Sequence, residues 1–92
     1  MPKRMGKTPR WGTPRDANEP EIVEALEAVG AKVLRLDDVD LLVGYRDRLY
    51  MLEVKMPKGR LNKKQQKFFR EWAGYVWIVR TRIQALKIIG AI

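Results

Sequence analysis

Asp40, Glu53 and Lys55 are the side chains whose types and spacing suit chemistry in this chain. They stand in two stretches that otherwise read as buried strand, DLLVGY at 40–45 and LYMLEVK at 49–55. Successive side chains of a strand point to opposite faces, so Glu53 and Lys55 share one face. The RDR segment between the stretches is short and polar, which suits a hairpin. An antiparallel hairpin brings Asp40, at the start of one strand, near Glu53 and Lys55, at the end of the other. Two carboxylates and an ammonium then meet on one side of a small sheet. Charges beside apolar strand residues are costly unless they are paired or bound to a metal.

That arrangement suits a hard cation. Mg²⁺ takes oxygen ligands in octahedral geometry, usually one or two carboxylates with water, carbonyl or phosphate oxygens completing the shell. Asp40 and Glu53 supply the carboxylates, and the Val54 carbonyl is a candidate third protein oxygen. Such an ion offsets carboxylate repulsion, acidifies a water and polarises a phosphoryl oxygen. Lys55 is placed to orient or deprotonate that water, or to stabilise the charged transition state. Glu-X-Lys alone is also an ordinary salt-bridged strand face. Its coupling to Asp40 in an apolar strand, and to the basic segment that follows, is what points to a site.

The rest of the composition narrows the chemistry. The 92 residues contain no cysteine and no histidine. This removes disulfides, Cys/His zinc sites, Ser–His or Cys–His nucleophile pairs and every histidine general base. The absence of cysteine suits a reducing cytoplasm. The length makes one domain with a modest core. No apolar run approaches the ~20 residues of a spanning helix, so no membrane partner is expected. The formal net charge is +8, a balance that favours a polyanion, most simply nucleic acid. Lys55, Lys58, Arg60, Lys63, Lys64, Lys67 and Arg70 follow one another with no acid between them. Lys58, Arg60, Lys63, Lys64 and Lys67 read either as a soluble face or as phosphate contacts. Their crowding beside the candidate metal site favours phosphate.

The elements that must position these residues are legible in the periodicity. Residues 1–17 read as a flexible basic arm; its first 15 residues hold three prolines, two glycines and five basic side chains. The arm is either a solubilising tail or a segment that lies along a phosphate backbone. Asn18 to Gly30 reads as a helix, with Asn18 as N-cap, Glu21 at the capping-box position and Gly30 as the stop. Ile22, Leu26 and Val29 form its apolar stripe. Strands are expected at 31–36, 40–45, 49–55 and 75–80. A loop marked by Pro57 and Gly59 leads to a helix at 62–74, capped by Asn62 with Gln65 three residues on. Phe68, Phe69 and Trp72 give that helix a narrow aromatic face, for the core or a dimer interface. A closing helix is expected from Thr81. The order α-β-β-β-α-β-α predicts an α/β fold with a mixed sheet of about four strands flanked by helices.

The segment DLLVGYRDRLYMLEVKMPKGRLNKKQQKFF at 40–69 resembles the core of the VRR-NUC nucleases, the virus-type replication-repair branch of the PD-(D/E)XK superfamily. In that family a strand opens Pro-Asp-Leu, the next ends Glu-X-Lys, and a Gly- or Pro-containing loop leads to Leu-Ser/Thr-X-X-Gln at a helix start. Asp40, Glu53 and Lys55 match the metal acids and the catalytic lysine, and LNKKQ at 61–65 makes Gln65 the family glutamine. Residues 18–36 resemble the first helix and strand, where Glu21 matches an acid at the edge of the site; capping and metal binding are both open to it. Residues 75–86 resemble the closing strand and helix. Val39 stands where the family usually has proline, and Asn62 where it has serine or threonine. Asp37 and Asp38 are additional acids, either in contact with metal ligands or in a solvated turn.

The resemblance implies a restriction-endonuclease-like domain over 18–92, with Asp40, Glu53, Lys55 and Gln65 catalytic. It implies Mg²⁺ or Mn²⁺ held by Asp40, Glu53, the Val54 carbonyl and Glu21. The expected activity is structure-selective DNA cleavage, with branched DNA such as four-way junctions as substrate. A homodimer and the cytoplasm of a bacterial or phage-infected cell go with it. Two other classes compete: a basic nucleic-acid-binding module with an inactive site, and an interaction protein that pairs through its aromatic helix.

Overall fold

The computed structural model describes residues 16–92, and the arm expected at 1–17 lies outside the described residues except for Asp16 and Ala17. The elements run α1 (Glu19–Ala28), β1 (Lys32–Arg35), β2 (Leu41–Tyr45), β3 (Arg48–Val54), α2 (Lys63–Glu71), β4 (Val76–Val79) and α3 (Arg82–Ile88). The α/β class and the order are those expected from the sequence. The ends are shorter, most at the closing helix, which stops at Ile88 before Gly90 takes a left-handed φ of 79°.

The four strands lie in the order β1-β2-β3-β4. A two-residue turn, Arg46–Asp47, makes β2 and β3 an antiparallel hairpin, with Arg48 of the expected RDR connection already in β3, and β1 joins it antiparallel. A strand that returns parallel needs a crossover, and α2 provides it between β3 and β4.

Alternation gives the sheet two unlike faces. On one, Val33, Val43 and Tyr50 stand in one row, and Leu41 and Leu52 in the next. Val54 and Val79 close the parallel end. Ile22 and Leu26 of α1, with Ala85 of α3, are fully buried over this face. Each buried Leu, Ile or Val contributes about 1.5–3 kcal/mol relative to exposure, so this face anchors the fold.

The opposite face is thinly covered. Leu34, Leu42, Met51 and Val76 form one row across it. Phe68 and Trp72 of α2 enclose a cleft of about 330 Å³ with Met51 and the turn Leu36–Asp37–Asp38–Val39. No residue of α2 is buried. Phe68 stacks on Trp72 and meets Phe69 edge-on, and Trp72 meets Tyr75 edge-on. Among the described residues no helix is long and apolar enough to cross a membrane.

Candidate functional site

The β2–β3 register decides where the acids meet. Leu41 pairs with Leu52, so Asp40, one residue before β2, falls opposite Glu53. Asp40 Oδ2 accepts the Val54 N–H at 2.8 Å, and Glu53 Oε1 accepts the Asp40 N–H at 3.2 Å. Each carboxylate therefore holds the other residue's strand. The brace closes the ladder where backbone pairing stops. Both acids are nearly sealed from solvent, Asp40 2% and Glu53 3% exposed. Charge-assisted bonds to backbone amides offset part of that burial.

Lys55 lies just beyond β3, partly buried, on the same sheet face as Glu53. Its Nζ donates to Gln65 Oε1 at 3.2 Å. It forms no ion pair with Asp40 or Glu53. The same Gln65 oxygen accepts the Asn62 N–H at 3.0 Å, while Gln65 N–H donates to Asn62 Oδ1 at 2.8 Å. The expected capping box at α2 is thus present. Gln65 fills both roles considered for it: it caps the helix and touches the lysine. Its side-chain nitrogen makes no hydrogen bond among the described residues.

The segment leaving Lys55 is tied down by three side chains from elsewhere in the chain. Lys55 N–H extends the parallel ladder to the Val79 carbonyl at 2.9 Å. Asn18 Nδ2 donates to the carbonyls of Lys55 at 3.0 Å and Arg80 at 2.9 Å, stitching together the ends of β3 and β4. Asp16 Oδ2 accepts the Met56 N–H at 3.1 Å. Arg80 Nη1 donates to the carbonyls of Met56 at 2.9 Å and Gly59 at 2.8 Å. This harness, rather than core packing, sets how α2 approaches the acids.

Two expectations for the first helix are corrected. Asn18 is not a side-chain N-cap: its backbone is helical and its side chain turns away to the two strand ends. Glu21 is not a cap partner, because Asn18 makes no side-chain cap bond, and it is exposed on α1. The buried stripe of α1 runs Glu19, Ile22, Val23, Leu26, and Glu21 falls about 200° round the helix from Glu19. Glu19 is the acid that α1 buries, 1% exposed, with Oε2 accepting Arg35 Nε at 3.0 Å.

Among the described residues, no cluster of three or more acidic, histidine or cysteine side chains is arranged to hold a metal. The protein's own contribution is two hard carboxylates, Asp40 and Glu53, with Val54 buried between the latter and Lys55. Two carboxylates completed by water and phosphate oxygens are an ordinary protein share for Mg²⁺, so the donor set fits.

Lys58, Arg60, Lys63, Lys64 and Lys67 are all exposed, on the loop and on α2. None is in an ion pair among the described residues. The first turn of α2 holds no acid, so its amide end adds to the positive field. Asp37 and Asp38 lie in the turn that lines the aromatic cleft. Comparison of the chain with protein-family models, curated proteins and solved structures returns no match.

Proposed function

We propose that this chain is a small metal-dependent nuclease that hydrolyses phosphodiester bonds in DNA. The observation that carries the reading is the reciprocal brace of two buried carboxylates, with a lysine and its glutamine partner at the same strand end. A fold held together only for structure has little reason to bury two adjacent acids.

Mg²⁺ or Mn²⁺ held by Asp40, Glu53 and the Val54 carbonyl would acidify a water and neutralise phosphoryl charge. The chain's own residues do the rest. The amides of Asp40 and Val54 fix the two carboxylates against reorganisation. Gln65 holds the Lys55 ammonium at the rim, where it orients the attacking water or stabilises charge on the phosphoryl oxygens. The Gln65 amide nitrogen is available as a donor to a phosphate. Lys58, Arg60, Lys63, Lys64 and Lys67 bind the flanking backbone without reading sequence. Branched DNA is the proposed substrate, because its dense phosphate charge suits a basic surface on so small a domain. A homodimer would give two sites for two strands and cover the aromatic face of α2.

The exposed basic helix equally supports a second reading, a nucleic-acid binder without catalysis. Cleavage of four-way junction, flap, single-stranded and linear duplex DNA, each with Mg²⁺ or Mn²⁺, separates the two. The nuclease reading expects metal-dependent cutting that Asp40→Ala, Glu53→Ala and Lys55→Ala each nearly abolish, with DNA affinity changed by less than about twofold. Cutting that survives both acid substitutions shows that the site lies elsewhere. Binding without cutting on every substrate leaves the binder.

A further inference from the structure

The tip of the β2–β3 hairpin lies at the opposite end of the strands from Asp40 and Glu53. A cleft of about 370 Å³ there is lined by Lys32, Gly44, Arg46, Asp47, Arg48 and Leu49, among others. Three cations stand against one acid, and all three are exposed. None is in an ion pair among the described residues. Gly44 lies between Lys32 and Leu49 in the ladder and leaves the floor without a side chain. The Arg46 guanidinium sits 4.9 Å from the centre of the Tyr45 ring.

The backbone adds an independent observation. Arg46 and Asp47 both have left-handed φ, 50° and 66°. Two-residue hairpin turns of that kind favour Asn-Gly or Gly-Gly, because other side chains meet the following carbonyl. Aspartate tolerates the conformation, but arginine has no such allowance. An arginine at a strained turn position points to a role other than making the turn.

We propose that Lys32, Arg46 and Arg48 form a second phosphate-binding surface for a nucleic-acid backbone. It lies within reach of a duplex held at the acids. Leu49, in the ladder row of Gly44 and Lys32, and Glu53 are four residues apart on β3, about 14 Å at ~3.4 Å per residue. A duplex advances ~3.4 Å per phosphate along each strand, so the hairpin meets the backbone about four phosphates from the acids. Arg48 is five residues from Glu53 and so starts from the opposite sheet face, lining the cleft from the other side of the hairpin tip. Lys32, in the ladder row of Gly44 and Leu49, stands on the same sheet face as Glu53 and Lys55. The inference rests on the nuclease reading for where DNA enters, but its test requires no cleavage.

The test replaces Arg46 with Asn in the full chain and keeps Asp47, so one cation is lost and no acid. The turn becomes easier to form, so the melting temperature should rise. Affinity for a 20-base-pair duplex, read by fluorescence anisotropy in metal-free buffer, should fall about three- to tenfold. The slope of log K against log salt should flatten by about one. Arg48→Gln should weaken binding further. A more stable variant with unchanged affinity and slope overturns the proposal. So does a variant that loses retention on polyglutamate while binding DNA normally, because the patch would then serve an acidic protein. Metal-dependent cleavage by the wild type is scored separately, so the nuclease reading can fail without disturbing this result.

Discussion

Glu53→Gln tests the metal site without any substrate. The substitution keeps the length of the side chain and the oxygen that accepts the Asp40 amide, so the brace geometry survives. The acceptor becomes neutral, which forfeits about 1 kcal/mol of hydrogen-bond strength. Against this, one of two nearly sealed carboxylates loses its charge. At a cross-strand separation of about 5 Å and an effective dielectric near 20, that repulsion is roughly 3 kcal/mol. Asp40 and Glu53 each have further interactions, so the response to the ion, rather than the ion-free stability, carries the test. A cation that binds only the folded state stabilises it by about 1.4 kcal/mol at ten times its Kd, a rise of roughly 6–11 °C for the wild type. The variant should lose most of that rise. The assay is thermal melting with Mn²⁺ or Mg²⁺ titrated through the millimolar range against matched monovalent salt. If wild type and Glu53→Gln gain equally from the ion, no metal is held between Asp40 and Glu53.

The other expectations concern the binding surface and the harness. Reversing the charge of Lys63 and Lys67 together should weaken DNA binding and flatten the salt dependence by about one to two units, measured by anisotropy between low and moderate salt; binding insensitive to salt would remove phosphate contact from both nucleic-acid readings. Asn18→Asp exchanges a donor to two carbonyls for an acceptor set against them, and should destabilise the fold by about 2–4 kcal/mol in urea titration. A change within 0.5 kcal/mol would show that the stitch between β3 and β4 is not what holds the strand ends together.

The fold was legible wherever the signal was local. The alternation in 40–45 and 49–55, with a short polar segment between, specifies the hairpin and brings Asp40 near Glu53. Its register was less legible: a three-residue RDR connection would pair Tyr45 with Leu49 and set Asp40 opposite Val54, whereas the two-residue Arg46–Asp47 turn pairs Tyr45 with Arg48 and sets Asp40 opposite Glu53. The Pro57–Gly59 loop and the Asn62–Gln65 spacing are equally local, and α2 begins where they indicate. Asn18 was misread because an asparagine before an acidic, Pro-containing helix start is indistinguishable from a cap. Its true partners are 37 and 62 residues away. The loop contacts of Arg80, 21 and 24 residues away, are hidden for the same reason. The Glu19–Glu21 exchange had an available signal. Glu19 lies three residues before Ile22 and seven before Leu26, on the stripe that the apolar residues already define, whereas Glu21 does not. The left-handed Arg46 carries no sequence mark, because the RDR turn lacks the Asn-Gly pair that announces such geometry.

The absence of any buried residue on α2 divides the protein into two tiers of local stability. The strands that carry Asp40 and Glu53 open only when the whole core does. A helix tied by a few hydrogen bonds and half-covered aromatic rings can detach at far lower free energy. Gln65, Lys63, Lys64 and Lys67 ride on that upper tier. The amides of α2 should therefore exchange with solvent well ahead of those of β2 and β3. In the proposed nuclease, engaging a phosphate backbone and locking this helix in place become one event. Part of the contact energy then goes into ordering the protein, and measured affinity understates the strength of the contacts themselves.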